Sequence, residues 1–359
     1  MHHVLNSTTV AIVLLATSLV ARLWLAASLG LQKDEAFYAV WSRGLLPSYA
    51  FLPLAALRAS CALFGETAFA ARLPFVLAMT GAGAFAVVLA RRLTGSGAAG
   101  AWTVALLLGN VWAHFAGAQA HPDAFLAFFW IGALAMLASE RTGRARLLAG
   151  AALAAGAALS KYTGYLLWPA WLAVELGRRF ASGRAARGGG GDNAAGGGGD
   201  EGARCAERGA RLGDLAVATL LWLGLVSPGL LAMAAENGHW LRVAVHLSDL
   251  REQLSLPARL ALLPLAPLLY LLSPGSVVLA LSPFAAWRAG GGSRRQLWIG
   301  LAVLAVFAAI AARGSLKGNW ILPAFWGTLP AGAAWFLLGQ RRRRWLAALT
   351  ATGILVTAA

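Results

Sequence analysis

The sequence predicts an all-α, polytopic integral membrane protein with about eleven transmembrane helices. Of its 359 residues, 59% are hydrophobic and only 12% are charged, and the mean hydropathy is +0.67. A soluble protein has about twice that share of charged residues. Long apolar runs also recur along the whole chain. These observations exclude an ordinary soluble domain.

The apolar runs define the predicted helices, which are long enough or nearly long enough to cross a bilayer. They occupy residues 8–30, 67–90, 98–117, 123–139, 147–159, 162–177, 214–234, 260–287, 297–312, 321–338 and 345–359. The run 147–159 has 13 residues. At about 1.5 Å per residue it covers roughly 20 Å of a hydrocarbon core of roughly 30 Å. The turn that follows it is therefore expected to lie below the membrane surface.

The basic residues predict the orientation of the chain. Nineteen of the 30 fall in alternate loops, which are expected to be cytoplasmic. The net charge of +16 is therefore interpreted as a topology signal, and no nucleic-acid partner is expected. The three lysines, Lys33, Lys161 and Lys317, all fall on the outer side. The first helix lacks a charged leader and a small-residue cleavage site, so it is expected to remain as an anchor.

A low-complexity segment divides the predicted chain. Residues 188–202 are built from Gly, Ala, Asn, Asp and Glu and cannot bury a core. We expect an amino-terminal transmembrane module (1–177) with an outer-face catalytic loop, a flexible cytoplasmic loop (178–213) and a carboxy-terminal transmembrane module (214–359).

An acidic pair, Asp34 and Glu35, follows the first apolar run in a chain with only 14 acidic residues. The segment KDEAFYAVWSRG predicts a short helix in the membrane interface, with Asp34, Tyr38 and Trp41 on one face. Carboxylates at such a surface indicate chemistry. A solvated helix end with an aromatic anchor is the competing interpretation.

Two further charged residues are expected near the same face. The segment HPDAFLAFFW predicts a helix that starts at Pro122 and Asp123, although helix capping alone would explain that aspartate. Lys161 lies in the turn between two short helices, where an ammonium needs an anionic partner. A lipid phosphate would serve, and snorkelling to the headgroups is the alternative.

These segments carry a resemblance to a known family. Together with LFGETAFAARLP, ALSKYTGYLLWPAWL, ENGHWLRVAVHL and LKGNWILPAFWG, they resemble the GT-C glycosyltransferases of family 39, of the ArnT-like and bacterial protein O-mannosyltransferase-like type. The motifs run from about residue 20 to 330. The resemblance implies a GT-C-like fold.

The resemblance also implies a reaction. One sugar would pass from a polyprenyl-phosphate carrier to a lipid acceptor, such as lipid A or another glycolipid, or to a protein, at the outer face of the bacterial inner membrane. Asp34 would be the general base, Glu35 would orient the site, and direct displacement would invert the anomeric carbon. Lys161 would neutralise the leaving phosphate. The other implied substrate-binding residues are Asp123, Arg72, Tyr38, Lys317, Asn319 and Tyr162.

Some features depart from the family pattern and keep alternatives open. Many relatives have Tyr-Asp-His-Pro-Pro where this chain has residues 49–53, YAFLP, and His121 stands where a threonine is usual. A transporter or flippase for a lipid-linked sugar, or a non-catalytic polyprenyl-lipid-binding relative, are the alternatives. No cofactor is required by the implied reaction. Whether a metal binds is left open, since no histidines have ligand-type spacing such as H-E-x-x-H.

Overall fold

The computed structural model describes residues 6–44, 50–108, 110–139, 143–188, 211–235, 275–313 and 321–358, together with residues 255 and 257. These residues form helices and turns, with no strand in the described part. The amino-terminal helices are α1 (Ser7–Ser28), α2 (Lys33–Ser42), α3 (Phe51–Phe64), α4 (Ala68–Thr94), α5 (Gly97–Leu108), α6 (Val111–Ala118), α7 (Asp123–Leu137), α8 (Arg144–Ser160) and α9 (Leu167–Gly188). A 3-10 turn, Tyr162–Leu166, joins α8 to α9.

The carboxy-terminal helices complete the described structure. They are α10 (Leu212–Ala235), α11 (Gly275–Ala289), α12 (Gly291–Arg313), α13 (Pro323–Trp326), α14 (Leu329–Leu337) and α15 (Gln340–Ala358). Of the predicted loop 188–202, only Gly188 is described, as the last residue of α9.

Several described helices are suited to a membrane by length and composition. Four of them, Ser7–Ser28, Ala68–Thr94, Leu212–Ala232 and Gly291–Ile310, are long and apolar enough to cross it. The bent pair α5 and α6 would make a fifth. The all-α, multi-pass membrane class is confirmed, whereas the described residues do not confirm a count of eleven spans.

The predicted helix 321–338 is divided into α13 and α14, and two further local predictions differ from the structure. The predicted helix 98–117 is two helices that meet at an angle of 72°. The break occurs at Asn110, whose side-chain oxygen accepts hydrogen bonds from the N–H groups of Trp112 (2.9 Å) and Ala113 (3.3 Å) and so caps α6. The second difference is α3, which was not among the predicted segments. Its 14 residues are too few to span a bilayer and include Arg58.

Helix α7 lies at the centre of the bundle. Eleven of its 15 residues are buried, and it packs between α4 and α8. The facing side of α8 consists of small residues, among them Gly150, Ala154 and Ala158, which let the two backbones approach closely. Helix α7 therefore holds its first residue, Asp123, and its last residue, Leu137, at a fixed separation within the bundle.

Candidate active site

Helix α2 presents an apolar surface to its surroundings. Phe37 and Val40 are 55% and 68% exposed. The rings of Phe37, Tyr38 and Trp41 pack together, with Tyr38 and Trp41 stacked at a centroid distance of 6.5 Å. A short helix with exposed aromatic and aliphatic residues is typical of a segment that lies in the plane of a membrane interface. The structure thus has the short helix that KDEAFYAVWSRG predicted.

Glu35 is held at the first turn of α2 by four hydrogen bonds. Its Oε1 accepts from Arg72 Nε at 2.7 Å and from the N–H of Ala120 at 2.8 Å. Its Oε2 accepts from Arg72 Nη2 at 2.5 Å and from the N–H of Gln32 at 2.9 Å. The side chain is buried. Both oxygens are therefore occupied, and Glu35 ties α2 to α4 and to the connection between α6 and α7.

The charged state of Glu35 is stabilised by these partners. Burial raises the pKa of its carboxyl, but the hydrogen bonds from Arg72, Gln32 and Ala120 outweigh this effect and hold the pKa below the ordinary value of 4.5. Glu35 is therefore an ionised structural carboxylate at neutral pH.

Arg72 also closes the end of α1. Its Nη1 donates to the carbonyl oxygens of Leu29 at 2.6 Å and Ala26 at 3.4 Å, and its Nη2 donates to Gly30 at 2.7 Å. These are carbonyls that a helix end leaves without partners, and a cation is favoured there. The resemblance implied substrate binding by Arg72. In the structure its guanidinium is buried and positions α2 through Glu35.

Asp34 has the opposite environment to its neighbour. It lies on the exposed side of the first turn of α2. Successive helix positions are about 100° apart, so a buried Glu35 directs Asp34 outward. Glu35 therefore fixes the helix, whereas the Asp34 carboxylate is exposed.

Asp123 and Lys161 form a second buried ion pair. The ammonium of Lys161 donates to Oδ1 of Asp123, and the two side chains are 7% and 0% exposed. Trp112 Nε1 donates to Oδ2 at 3.3 Å. The sequence predicted that Lys161 would lie in a buried turn and need an anion. The described structure supplies one from α7.

The position of Lys161 depends on a close backbone contact. The residue ends α8, and the 3-10 turn after it folds back on that helix. A Cβ at Gly164 would lie 2.0 Å from the carbonyl oxygen of Ala157. Only glycine permits this approach. Gly164 thus fixes the turn that places Lys161 beside Asp123.

The two ion pairs are joined by a short stretch of backbone. Ala120, which donates to Glu35, is three residues from Asp123. Between them, His121 Nδ1 accepts from the N–H of Asp123 at 3.3 Å and lies 3.5 Å from Oδ2. Any displacement of α2 would therefore act on the region around Lys161.

Aromatic residues of the carboxy-terminal half pack beside this cluster. Trp326 of α13 lies 5.5 Å from Trp112 and 6.3 Å from Trp130, measured between ring centroids. Trp326 follows LKGNWILP, part of a weaker motif in the sequence. Of the other implied site residues, Tyr38 and Tyr162 are partly buried, and Lys317 and Asn319 lie outside the described residues.

The cation Arg22 has a place in the structure that the motifs did not indicate. It is fully buried in α1, and its Nη2 donates to the carbonyl oxygen of Ala113 at 3.4 Å. Its signal in the sequence was a lone arginine inside an apolar run.

Among the described residues, no group of three or more His, Cys, Asp or Glu side chains is arranged to hold a metal ion. His239 and His246 lie outside them.

Comparisons with known proteins agree with the resemblance that the sequence motifs indicated. Residues 48–183 match the model of the dolichyl-phosphate-mannose-protein mannosyltransferase family. No curated protein matches the chain significantly.

Two solved structures share the fold. ArnT from Cupriavidus metallidurans in the apo state is 17% identical with a TM-score of 0.65, covering 94% of this chain and 61% of that one. The same protein bound to undecaprenyl phosphate is 18% identical with a TM-score of 0.66, covering 96% and 63%. The chain thus spans about three fifths of the length of the ArnT chain. It has an ArnT-like fold.

Proposed function

We propose that this protein is a glycosyltransferase that moves a single sugar from a polyprenyl-phosphate-linked donor to a lipid or protein acceptor. The family match over 48–183 and the ArnT-like fold support the reaction class. The complex of ArnT with undecaprenyl phosphate supports a polyprenyl carrier, since that ligand is bound by a protein of the same fold.

The observation that carries the proposal is the contrast between Asp34 and Glu35. An acidic residue in the first turn stabilises a helix, and Glu35 fills that role with both oxygens occupied. Asp34 is exposed on the same turn. A second carboxylate in this position is available to a reacting group.

The proposed step is a direct displacement at the anomeric carbon. Asp34 accepts the proton of the acceptor hydroxyl as its oxygen forms a bond to that carbon. The bond between the anomeric carbon and the phosphate oxygen breaks, and the electron pair leaves with the polyprenyl phosphate. Attack from the side opposite the leaving group inverts the configuration of the sugar.

Lys161 is proposed to bind the phosphate of the donor. An ammonium group has three N–H donors, and Asp123 accepts one of them. Asp123 also holds the ammonium group in position through this ion pair. The positive charge then stabilises the phosphate as it leaves. Lys317 and Asn319 stay candidates for further contacts with the substrates.

We place the reaction at the outer face of the bacterial inner membrane because of the arginine distribution. The Lys161 turn precedes the first residue of α9, and Ser182 lies near the other end of that helix. The arginine distribution predicts that the two ends face opposite sides of the membrane. Single cysteines at Ala36 and Ser182, in a chain without Cys61 and Cys205, should therefore react with impermeant reagent from outside and inside respectively. Labelling of both from one side would contradict the orientation.

The decisive experiment compares cells with and without the gene. Mass spectrometry of envelope lipids and glycoproteins should find one sugar missing from one acceptor in the deletion strain. The wild-type gene should restore it, and the Asp34→Asn gene should not. A sugar-lipid that accumulates on the inner side of the membrane in the deletion strain would favour the transporter alternative, because loss of a transferase leaves the donor on the outer side.

A further inference from the structure

A groove lies between α9 and α12, at the end of the molecule away from the candidate active site. Its volume is about 710 Å³, which falls in the usual range of about 300–1,000 Å³ for ligand sites. Val174, Trp298 and Leu301 line an apolar stretch, and Arg178, Arg294 and Arg295 line the rest. The groove thus has an apolar stretch and a basic end.

Helix α7 places this groove far from Lys161. Arg295 Nη2 donates to the carbonyl oxygens of Leu137 at 2.5 Å and Ser139 at 3.2 Å, at the last turn of α7. Asp123, which binds Lys161, is the first residue of that helix. Fifteen residues separate the ends by about 21 Å. The groove is therefore a separate site.

The basic end carries an excess of positive charge. Glu175 is the acidic residue in contact with it, and its carboxylate accepts from Arg178 and Arg179, each at 2.8 Å. Arg295 Nη1 lies 3.8 Å from the same carboxylate. Among the residues that the structure describes, four arginines, including Arg294, and this one carboxylate lie at the basic end. An anion is electrostatically favoured there.

Tryptophans mark the depth of this end in the membrane. Trp287 and Trp298 are 49% and 48% exposed and lie 6.2 Å apart. The guanidinium of Arg294 stacks over Trp287 at 4.6 Å. Exposed tryptophans gather at the headgroup level of a bilayer. The arginines therefore lie at the depth of lipid phosphates, and the apolar stretch extends toward the acyl chains.

We infer that this groove binds one anionic phospholipid from the adjacent leaflet. Its phosphate lies at Arg178 and Arg294, and one acyl chain runs along Val174, Trp298 and Leu301. The first turn of α12 begins at the same end, so its N–H groups add a favourable partial charge. A lipid in this position ties α9, which follows the Lys161 turn, to the carboxy-terminal helices.

The test uses the full chain in zwitterionic nanodiscs and fluorescent phosphatidylglycerol as the probe. Arg178→Gln/Arg294→Gln should weaken its binding roughly thirtyfold, since each arginine near a lipid headgroup contributes a similar electrostatic increment. The matched control, Arg341→Gln/Arg344→Gln, removes two arginines of α15 and should bind as the wild type does. Equal losses of affinity in both variants would show that only the net charge of the protein matters, and would overturn the proposed site.

A second variant separates a lipid from a free anion. Ala173 lines the groove and is exposed, so Ala173→Trp should fill the apolar stretch without changing a charge or the core. It should abolish phosphatidylglycerol binding while its unfolding temperature stays at the wild-type value. Displacement of the probe by an equal concentration of inorganic phosphate would show that the arginines bind a soluble anion and not a lipid. Phosphatidylcholine that binds as well as phosphatidylglycerol would also overturn the proposal.

Discussion

Lys161 and Asp123 form an ion pair that is closed to solvent, although 38 positions separate them in the sequence. The pair connects the turn after α8 to the first residue of α7. Breaking a buried pair from one side leaves an uncompensated charge, which is far more costly than the pair itself is stabilising. The geometry of the candidate site and the stability of the bundle therefore depend on the same contact.

Asp123→Asn should destabilise the protein by about 3–5 kcal/mol because it leaves the Lys161 ammonium without its anion. Thermal unfolding in detergent measures the loss. The double variant Asp123→Asn/Lys161→Gln should recover part of it, since the second change removes the stranded charge. Additive losses in the double variant would show that the two side chains are not coupled.

Lys161→Ala should weaken binding of undecaprenyl phosphate, and Lys161→Arg should retain part of the affinity because it keeps the charge with a different shape. Titration of the purified, folded variants gives the comparison. Lys33→Ala is the matched control, since Lys33 is exposed on α2 and should leave the affinity unchanged. Unaltered binding of undecaprenyl phosphate by Lys161→Ala would show that Lys161 has only a structural role, as the partner of Asp123.

The sequence predicted individual elements of this site better than their connections. The short helix at Lys33, the helix start at Asp123 and the buried turn at Lys161 follow from local patterns of charge, proline and segment length. The resemblance implied only substrate binding by Arg72, and the partner of its guanidinium lies 37 positions away. Such pairings depend on how helices pack. Local patterns do not contain that information.

Helix α3 was missed as well. Its 14 residues are too few to span a bilayer, and Arg58 interrupts the apolar run. The bend between α5 and α6 shows the reverse problem. Gly109 and Asn110 interrupt the apolar run in the sequence, and the capping hydrogen bonds of Asn110 mark the start of the second helix.

Glu35 should make the stability of the protein depend on pH. Its pKa in the folded state lies below the ordinary 4.5, so its contribution is present above that pH and is lost as the pH falls through the folded-state pKa. Glu35→Gln should unfold at a lower temperature at pH 7. The difference from the wild type should shrink in acid. A difference in unfolding temperature that stays constant down to pH 3 would contradict stabilisation of the fold by ionised Glu35.

Gly164→Ala should displace the turn that carries Lys161. The added Cβ meets the backbone of Ala157, which cannot rotate away, and overpacking of this kind costs about 1–3 kcal/mol. Binding of undecaprenyl phosphate should weaken together with stability. Gly224→Ala provides the control because nothing lies within 4 Å of its added Cβ. If both variants behaved alike, the close contact at Gly164 would have no structural effect.

Asp34→Asn tests the central claim, that the exposed member of the acidic pair is the general base. The amide has the size of the carboxylate but cannot take the proton, so turnover should fall by at least about 100-fold. Asp34 is exposed, so the unfolding temperature and the affinity for undecaprenyl phosphate should stay at their wild-type values. Glu66→Gln, which changes another exposed carboxylate, should keep full activity. Once the sugar and acceptor are identified in cells, single-turnover transfer by the purified Asp34→Asn protein is the direct measurement. Loss of transfer with donor binding intact is the predicted result, and near-normal transfer would contradict the account.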